Sequence, residues 1–345
     1  MRDMPNGMPA KPVVPSPESG VALYPLRFVP AMKSYLWGGR GLERLGKVLP
    51  AGIVAESWEI SGHPDGPGTV ADGPLAGSTL PELMQRFGRS LVGTALPPSA
   101  LVTFPLLVKL IDANDRLSVQ VHPDDAYAAQ HENGSLGKTE MWVVLDARPG
   151  AKLVYGLRPG VTKELFARAV REGTVAECLN EVPVRKGDVF DIPAGMVHAI
   201  GEGLIIAEIQ QSSNTTYRVY DYDRADAAGN KRPLHVDKAL DVIRFGDGAP
   251  PAPLMLAKAN GQGVEQTLLV QNRYFAVERI ESKGCFQSHA DGKRFELLMI
   301  LDGSAVLSWQ GGTMPAATGE SFLIPASLGT YTVEGGYTAL RAWVP

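Results

Sequence analysis

Short apolar stretches separated by Gly, Pro and Asn turns run along most of the chain, and several alternate with period two. In 117–122, Val119 and Val121 fall on one face of a strand and Gln120 and His122 on the other. That strand predicts one face turned to a core and one carrying an amide and an imidazole. A second apolar strand, Glu140-Met-Trp-Val-Val-Leu145, opens on a carboxylate, and a third, Val189-Phe-Asp-Ile-Pro193, is closely followed by His198. The stretch 104–111 is broken only by Lys109 and predicts a buried strand. Helical spacing is rarer. Thr79 with Glu82 makes a capping box ahead of Leu83 and Phe87, and Asp124 caps a short helix through Gln130. The spacing of Leu165, Phe166 and Val170 predicts a helix over 162–171, and 235–243 is a further candidate. The pattern is that of a mainly β protein with short helical insertions.

Residues 1–20, rich in Pro, Gly and Ser, read as a flexible leader. A loop rich in Gly, Ala and Pro at 246–253 predicts a boundary between a first domain, 21–247, and a second, 254–345. Across that boundary the sequence echoes itself. Glu140-Met-Trp-Val-Val-Leu-Asp146 resembles Glu296-Leu-Leu-Met-Ile-Leu-Asp302, and Gly187-Asp-Val-Phe-Asp-Ile-Pro-Ala194 resembles Gly319-Glu-Ser-Phe-Leu-Ile-Pro-Ala326. The second copy keeps Glu296 and has His289 upstream, but Thr330 stands where the first has His198. It is expected to be degenerate and to hold no metal.

Composition narrows the function classes. A net charge of −4 without any Lys/Arg block gives no footprint for nucleic acid. Cys178 and Cys285 stand far apart and in no ligand spacing, which fits a reducing compartment rather than a disulfide framework. With no signal-type N-terminus and no uninterrupted apolar run long enough to span a bilayer, a cytoplasmic location is expected and no membrane partner.

The chemistry lies in the three strands that each bring one ligand-type residue. Two imidazoles, a carboxylate and an amide suit Zn(II) or Fe(II) with room for a substrate oxygen. Each residue alone has a plainer reading as the solvated face of an edge strand; their convergence argues for a metal centre. Gly134-Ser-Leu-Gly-Lys-Thr139 looks like the end of a phosphate-binding loop, but that motif needs Gly at 132, which is Glu, and a helix must follow rather than a strand.

The stretch Gly-Asp-x-Phe-x-Ile-Pro-Ala-Gly-x-x-His, ending at His198, resembles a characteristic motif of cupins, small jelly-roll barrels that bind metal in their mouth. The fuller set is Leu117 to Asp124, Gly137-Lys-Thr-Glu-Met-Trp142, Pro193 to Ala199 and Gln210 to Arg224. In series these resemble the type I mannose-6-phosphate isomerases, the short bacterial branch above all. The resemblance runs from about Leu26 to Phe245 and more loosely beyond. It implies two cupin barrels in tandem, one Zn(II) per chain held by Gln120, His122, Glu140 and His198, and Arg218 as the catalytic arginine. Lys138 and Glu208 match positions lining the family's sugar pocket. The sequence departs from the family at Ser57, between Glu56 and Trp58, and in lacking the large helical insertion of longer relatives.

The implied reaction interconverts mannose 6-phosphate and fructose 6-phosphate through a cis-enediol. Arg218 would stabilise the enediolate or orient the sugar, or else merely satisfy rim carbonyls and the carboxylates of Asp221 and Asp223. Glu208 would transfer protons or brace a ligand histidine, a zinc-bound water being another candidate base. Lys138 shares the face of Glu140 and would pair with the phosphate. Two other functions share part of the pattern: a non-haem iron cupin dioxygenase, which uses two histidines and a carboxylate, and a non-catalytic sugar-binding cupin. Lys138 and Arg218 favour an anionic sugar.

Overall fold

The computed structural model describes residues 20–225, 228–246, 257–261 and 263–345. The leader up to residue 19 and most of the 246–253 loop lie outside them. The strands form three open sheets of nine, six and five strands. The mainly β expectation therefore holds, but the sheets face one another and none closes on itself into a barrel.

The six-stranded sheet runs Val189–Ile192, Glu140–Ala147, Leu204–Gln211, Leu106–Ala113, Glu56–Ser61, Ala31–Lys33. The five-stranded sheet runs Tyr217–Tyr220, Val119–Val121, His198–Ile200, Lys152–Leu157, Leu179–Pro183. Their inner faces share one core, in which Ile111, Trp142, Val144 and Ile206 pack with Leu153, Tyr155 and Ile200. The other face of the six-stranded sheet is buried as well: Val108, Leu110, Met141 and Ile209 join Phe275, Val277, Leu297 and Leu340 of the C-terminal unit. Burial on both faces explains why 104–111 reads as a continuous apolar run.

The outer face of the five-stranded sheet lies under two helices. Val119, Val121, Val154 and Ala199 pack on Phe166 and Ala169 of Lys163–Glu172 and on Ala239 of Val236–Val242. Asp124 caps Asp125–His131, and Thr79 with Glu82 forms the full capping box of Leu80–Phe87, as the sequence predicts; Thr162, read as the first residue of its helix, is instead the cap of Lys163–Glu172. Among the described residues no helix is long and apolar enough to cross a membrane.

The nine-stranded sheet contains the C-terminal unit and recruits Leu26–Val29, which pairs with Ser321–Ile324 on one side and Thr69–Val70 on the other. The internal echo has its counterpart in register. Ile192 lies opposite Glu140 as Ile324 lies opposite Glu296, and Glu208 faces Trp142 as Arg341 faces Leu298. In the second unit, however, Thr330 and His289 pair on the exposed side, with Nδ1 3.0 Å from Oγ1. Tyr331 takes the interior place and bonds Glu296, whose carboxylate is also gripped by Arg341 at 2.6 and 2.9 Å.

Candidate metal centre and sugar-phosphate site

Three strands from two sheets deliver the candidate ligands. In the five-stranded sheet Gln120 lies between His198 on one neighbour and Arg218 on the other. His122 follows Gln120 by two and points the same way. Glu140 opens its strand in the facing six-stranded sheet, with Gln210 opposite it. The two-residue period thus places Gln120 and His122 inward and Val119 and Val121 under the helices. His122 and His198 are each 1% exposed and Glu140 is fully buried, so the solvated edge-strand reading fails.

The side chains of His122, Glu140 and His198 converge, with their ligand atoms all within 4.8 Å of one another. His122 Nδ1 donates to the Thr215 carbonyl and His198 Nδ1 to the Met196 carbonyl, both at 2.9 Å. Carbonyls only accept, so each ring keeps its lone pair on Nε2, facing the centre. Burial, aided by the Lys138 ammonium, pushes the His122 imidazolium down to about 3, and burial lowers His198 too. Both rings are neutral at pH 7, the form a metal needs. Glu140 Oε1 lies 3.0 Å from His122 Nε2 and Oε2 lies 3.9 Å from His198 Nε2. Burial would raise this carboxyl, but Lys138 and His122 outweigh it and hold the group well below the usual carboxylate range. Lys138 Nζ stands 2.6 Å from Glu140 Oε1, yet as a charge contact: that oxygen accepts no well-aligned hydrogen bond. Gln120 Nε2 is 3.3 Å from His198 Nε2, and a half-turn of the amide presents its oxygen instead. Two imidazole nitrogens, an orphaned carboxylate oxygen and an amide oxygen form a donor set that fits Zn(II).

Beside this cluster is a cavity of about 270 Å³ whose lining includes Gln120, Lys138, Trp142, Glu208, Lys109 and Arg218. Its floor includes a row of side chains across three strands, since Lys109 lies opposite Glu208 and Glu208 opposite Trp142; Trp58 continues the row behind Lys109. Lys109 Nζ sits 3.1 Å from Glu208 and 3.7 Å from Glu56. Burial alone would lower the Lys109 ammonium; Glu208, Glu56 and Glu140 more than offset this and hold it above the usual lysine value. Burial and the nearby Glu140 raise the Glu208 carboxyl to about 6, against the pull of Lys109. Trp58 Nε1 donates to Glu56 at 2.6 Å, and Trp142 Nε1 to Glu208 at 2.8 Å.

Arg218 lies at the rim, donating to the Pro233 carbonyl at 2.9 Å and to Ser118 Oγ at 3.3 Å. Desolvation and the neighbouring Arg232 lower its basicity. Asp221 is not its partner: that carboxylate is shared by Arg224 and Arg232, each at 2.6 Å, while Asp223 pairs with Lys231. Lys138 is 5% exposed and spends its charge on Glu140, with His122 Nε2 at 3.2 Å. Of the seven residues named from the sequence, Gln120, Lys138, Glu208 and Arg218 line this cavity, and His122, Glu140 and His198 form the cluster beside it. Lys109, Glu56, Trp142 and Arg232 were missed as site residues, although Lys109 is conspicuous as the one charge inside a buried apolar run.

Two facing sheets with a cavity lined by cations and a buried His–Glu–His cluster that could hold a metal ion fit a cupin-type protein. Comparison with known proteins makes this specific. Residues 26–142 match the phosphomannose isomerase type I catalytic domain, and residues 265–344 match the cupin domain of mannose-6-phosphate isomerases. The chain is 38% identical over 312 residues to the mannose-6-phosphate isomerase of Streptococcus mutans, covering 90% of this chain and 95% of that one. It is also 38% identical over 311 residues to the mannose-6-phosphate isomerase ManA of Bacillus subtilis, covering 90% and 96%. A crystal structure of the mannose 6-phosphate isomerase from Bacillus subtilis superposes with a TM-score of 0.86 at 34% identity, over 92% of this chain and 99% of that one. The chain belongs to the type I mannose-6-phosphate isomerase family.

Proposed function

We propose that this chain is a zinc-dependent aldose–ketose isomerase interconverting mannose 6-phosphate and fructose 6-phosphate through a cis-enediol. The observation that carries the reading is the convergence of two neutral imidazole Nε2 atoms, Glu140 and Gln120 at the wall of a cavity lined by Lys109, Arg218 and Glu208. One zinc per chain, held by Gln120, His122, Glu140 and His198, would supply Lewis-acid polarisation of the sugar oxygens at C1 and C2.

The protein's own groups do the rest. Glu208, ionised at neutral pH with its carboxyl near 6, takes the proton from C2 of the aldose and returns it to C1. The C1 oxygen gains a proton and the C2 oxygen loses one, so the net change is an isomerisation with no external redox partner. Lys109 keeps Glu208 ionised between turnovers. Arg218 places a permanent positive charge at the rim, against the enediolate. Lys138 is held by Glu140 and Arg232 by Asp221, so the phosphate falls to the rim of the cavity, where Arg218 donates to neutral partners, the Pro233 carbonyl and Ser118.

Residues 21–247 are the catalytic unit in this reading and 254–345 a degenerate cupin unit, the two forming tandem jelly rolls; Arg341 occupies the carboxylate of Glu296 in the second. Two free cysteines suit a cytoplasmic enzyme. A coupled assay of purified protein with mannose 6-phosphate tests the proposal. Turnover should disappear on chelation and return with Zn(II); turnover indifferent to chelation, or none in zinc-loaded protein, would overturn it.

A further inference from the structure

We propose that Trp142 is a positioning residue that sets the carboxylates of Glu140 and Glu208 against each other. This rests on the roles assigned above to those two glutamates. The indole has one N–H and two acceptors: Nε1 lies 2.8 Å from Glu208 Oε2 and 3.1 Å from Glu140 Oε2. Both carboxylates are buried, so two negative charges this close repel more strongly than they would in water. A shared donor between them reduces that repulsion and fixes their separation. It also ties Glu140 through Oε2, which turns Oε1 toward His122 and the metal site.

The ring itself has little freedom. Its backbone pairs with Glu208 on one side and Phe190 on the other. The indole also stands nearly edge-on to His198, with centroids 5.4 Å apart and planes at 73°. One side chain therefore touches a ligand carboxylate, a ligand imidazole and the proton-transferring carboxylate.

The second unit shows what the same lattice does without it. Leu298 occupies the position of Trp142, Arg341 that of Glu208, and Glu296 is closed off by Arg341. Packing at this place is met by Leu; the Trp adds a donor.

The test uses Trp142→Phe in the full-length protein. Zinc affinity is measured by titrating apo-protein against a chromophoric chelator, and kcat and KM for mannose 6-phosphate are measured at zinc saturation. One zinc should still bind, about tenfold more weakly, with kcat lowered by about 10- to 100-fold and KM changed by less than about threefold. A second protein, carrying benzothienylalanine at position 142, replaces the N–H by sulfur and keeps the ring's shape. It should reproduce the loss of kcat at an unchanged melting temperature. Wild-type kcat and zinc affinity in either folded variant would overturn the inference. So would a lowered melting temperature with normal kcat per bound zinc. Wild-type protein that binds no zinc and isomerises nothing would instead remove the proposed function beneath it.

Discussion

Lys109→Met removes the cation wedged between the buried carboxylates of Glu56 and Glu208 while keeping an unbranched side chain of similar reach. At an effective dielectric of about 20, unit charges as close as Lys109 Nζ and Glu208 Oε1 attract by about 5 kcal/mol, a ceiling of roughly 4 pKa units. Water entering the vacated space and small shifts of Glu208 will return part of that. If half remains lost, the Glu208 carboxyl moves from its present value near 6 to roughly 8. Without the ammonium the neutral acid is favoured, so the carboxyl rises; zinc beside Glu140 would lower the value in wild type and variant alike. The signature is therefore the difference: the midpoint of kcat against pH should rise by about two pH units in the variant, with activity recovering at high pH. The assay is kcat against pH from 5 to 9.5 on zinc-loaded protein, with metal content checked at both ends. A variant that keeps its zinc and shows the wild-type midpoint would refute the reasoning, because Lys109 would then not be what holds Glu208 ionised.

Three further outcomes follow from the same geometry. Arg218→Ala should keep its zinc and lower kcat by about 10² or more, the scale for losing one oxyanion-stabilising group, with Arg218→Lys restoring little; a folded, zinc-loaded variant at the wild-type rate would remove Arg218 from catalysis. His289→Ala should leave zinc at one per chain, because that ring lies on the exposed side of its strand, and a fall from two metals to one on elemental analysis would contradict the account. Asp191→Asn tests a half-buried carboxyl outside the site: desolvation raises it to about 6, so its ionisation costs stability as pH rises from about 4 to 6. The variant should gain about 1–2 kcal/mol over wild type above pH 6, allowing for partial solvent contact, and nothing near pH 3.5 in urea titrations; a gain equal at both pH values would mean the carboxyl is not the cause.

Much of the site was legible because strand periodicity fixes which side chains share a face. Gln120, His122, Glu140 and His198 were each readable beside apolar neighbours, and the facing sheets bring them together. Helix caps at Thr79 and Asp124 were equally local signals. What escaped was set by long-range pairing. Lys109 stood out in its strand, but its partners Glu56 and Glu208 lie on separate strands, and only the sheet order makes them neighbours. The pairing of Leu26–Val29 with Ser321–Ile324 had no local signature at all. Thr330 was matched to His198 by motif, yet its side chain faces outward and Tyr331 faces in. A shift of one residue along a strand exchanges its two faces, and motif counting cannot see it. Closed barrels were inferred from family likeness, whereas the hydrogen bonding of the described strands leaves three open sheets.

The central claim is that the buried His–Glu–His cluster with Gln120 holds the metal on which isomerisation depends. The most direct measurement is zinc content per chain and turnover of mannose 6-phosphate, in parallel, for wild type and His122→Ala before and after chelation. The account predicts one zinc and full activity in wild type, both lost on chelation and both restored by Zn(II), with His122→Ala near zero on both axes throughout. Wild-type turnover in a metal-free, folded His122→Ala protein would contradict it.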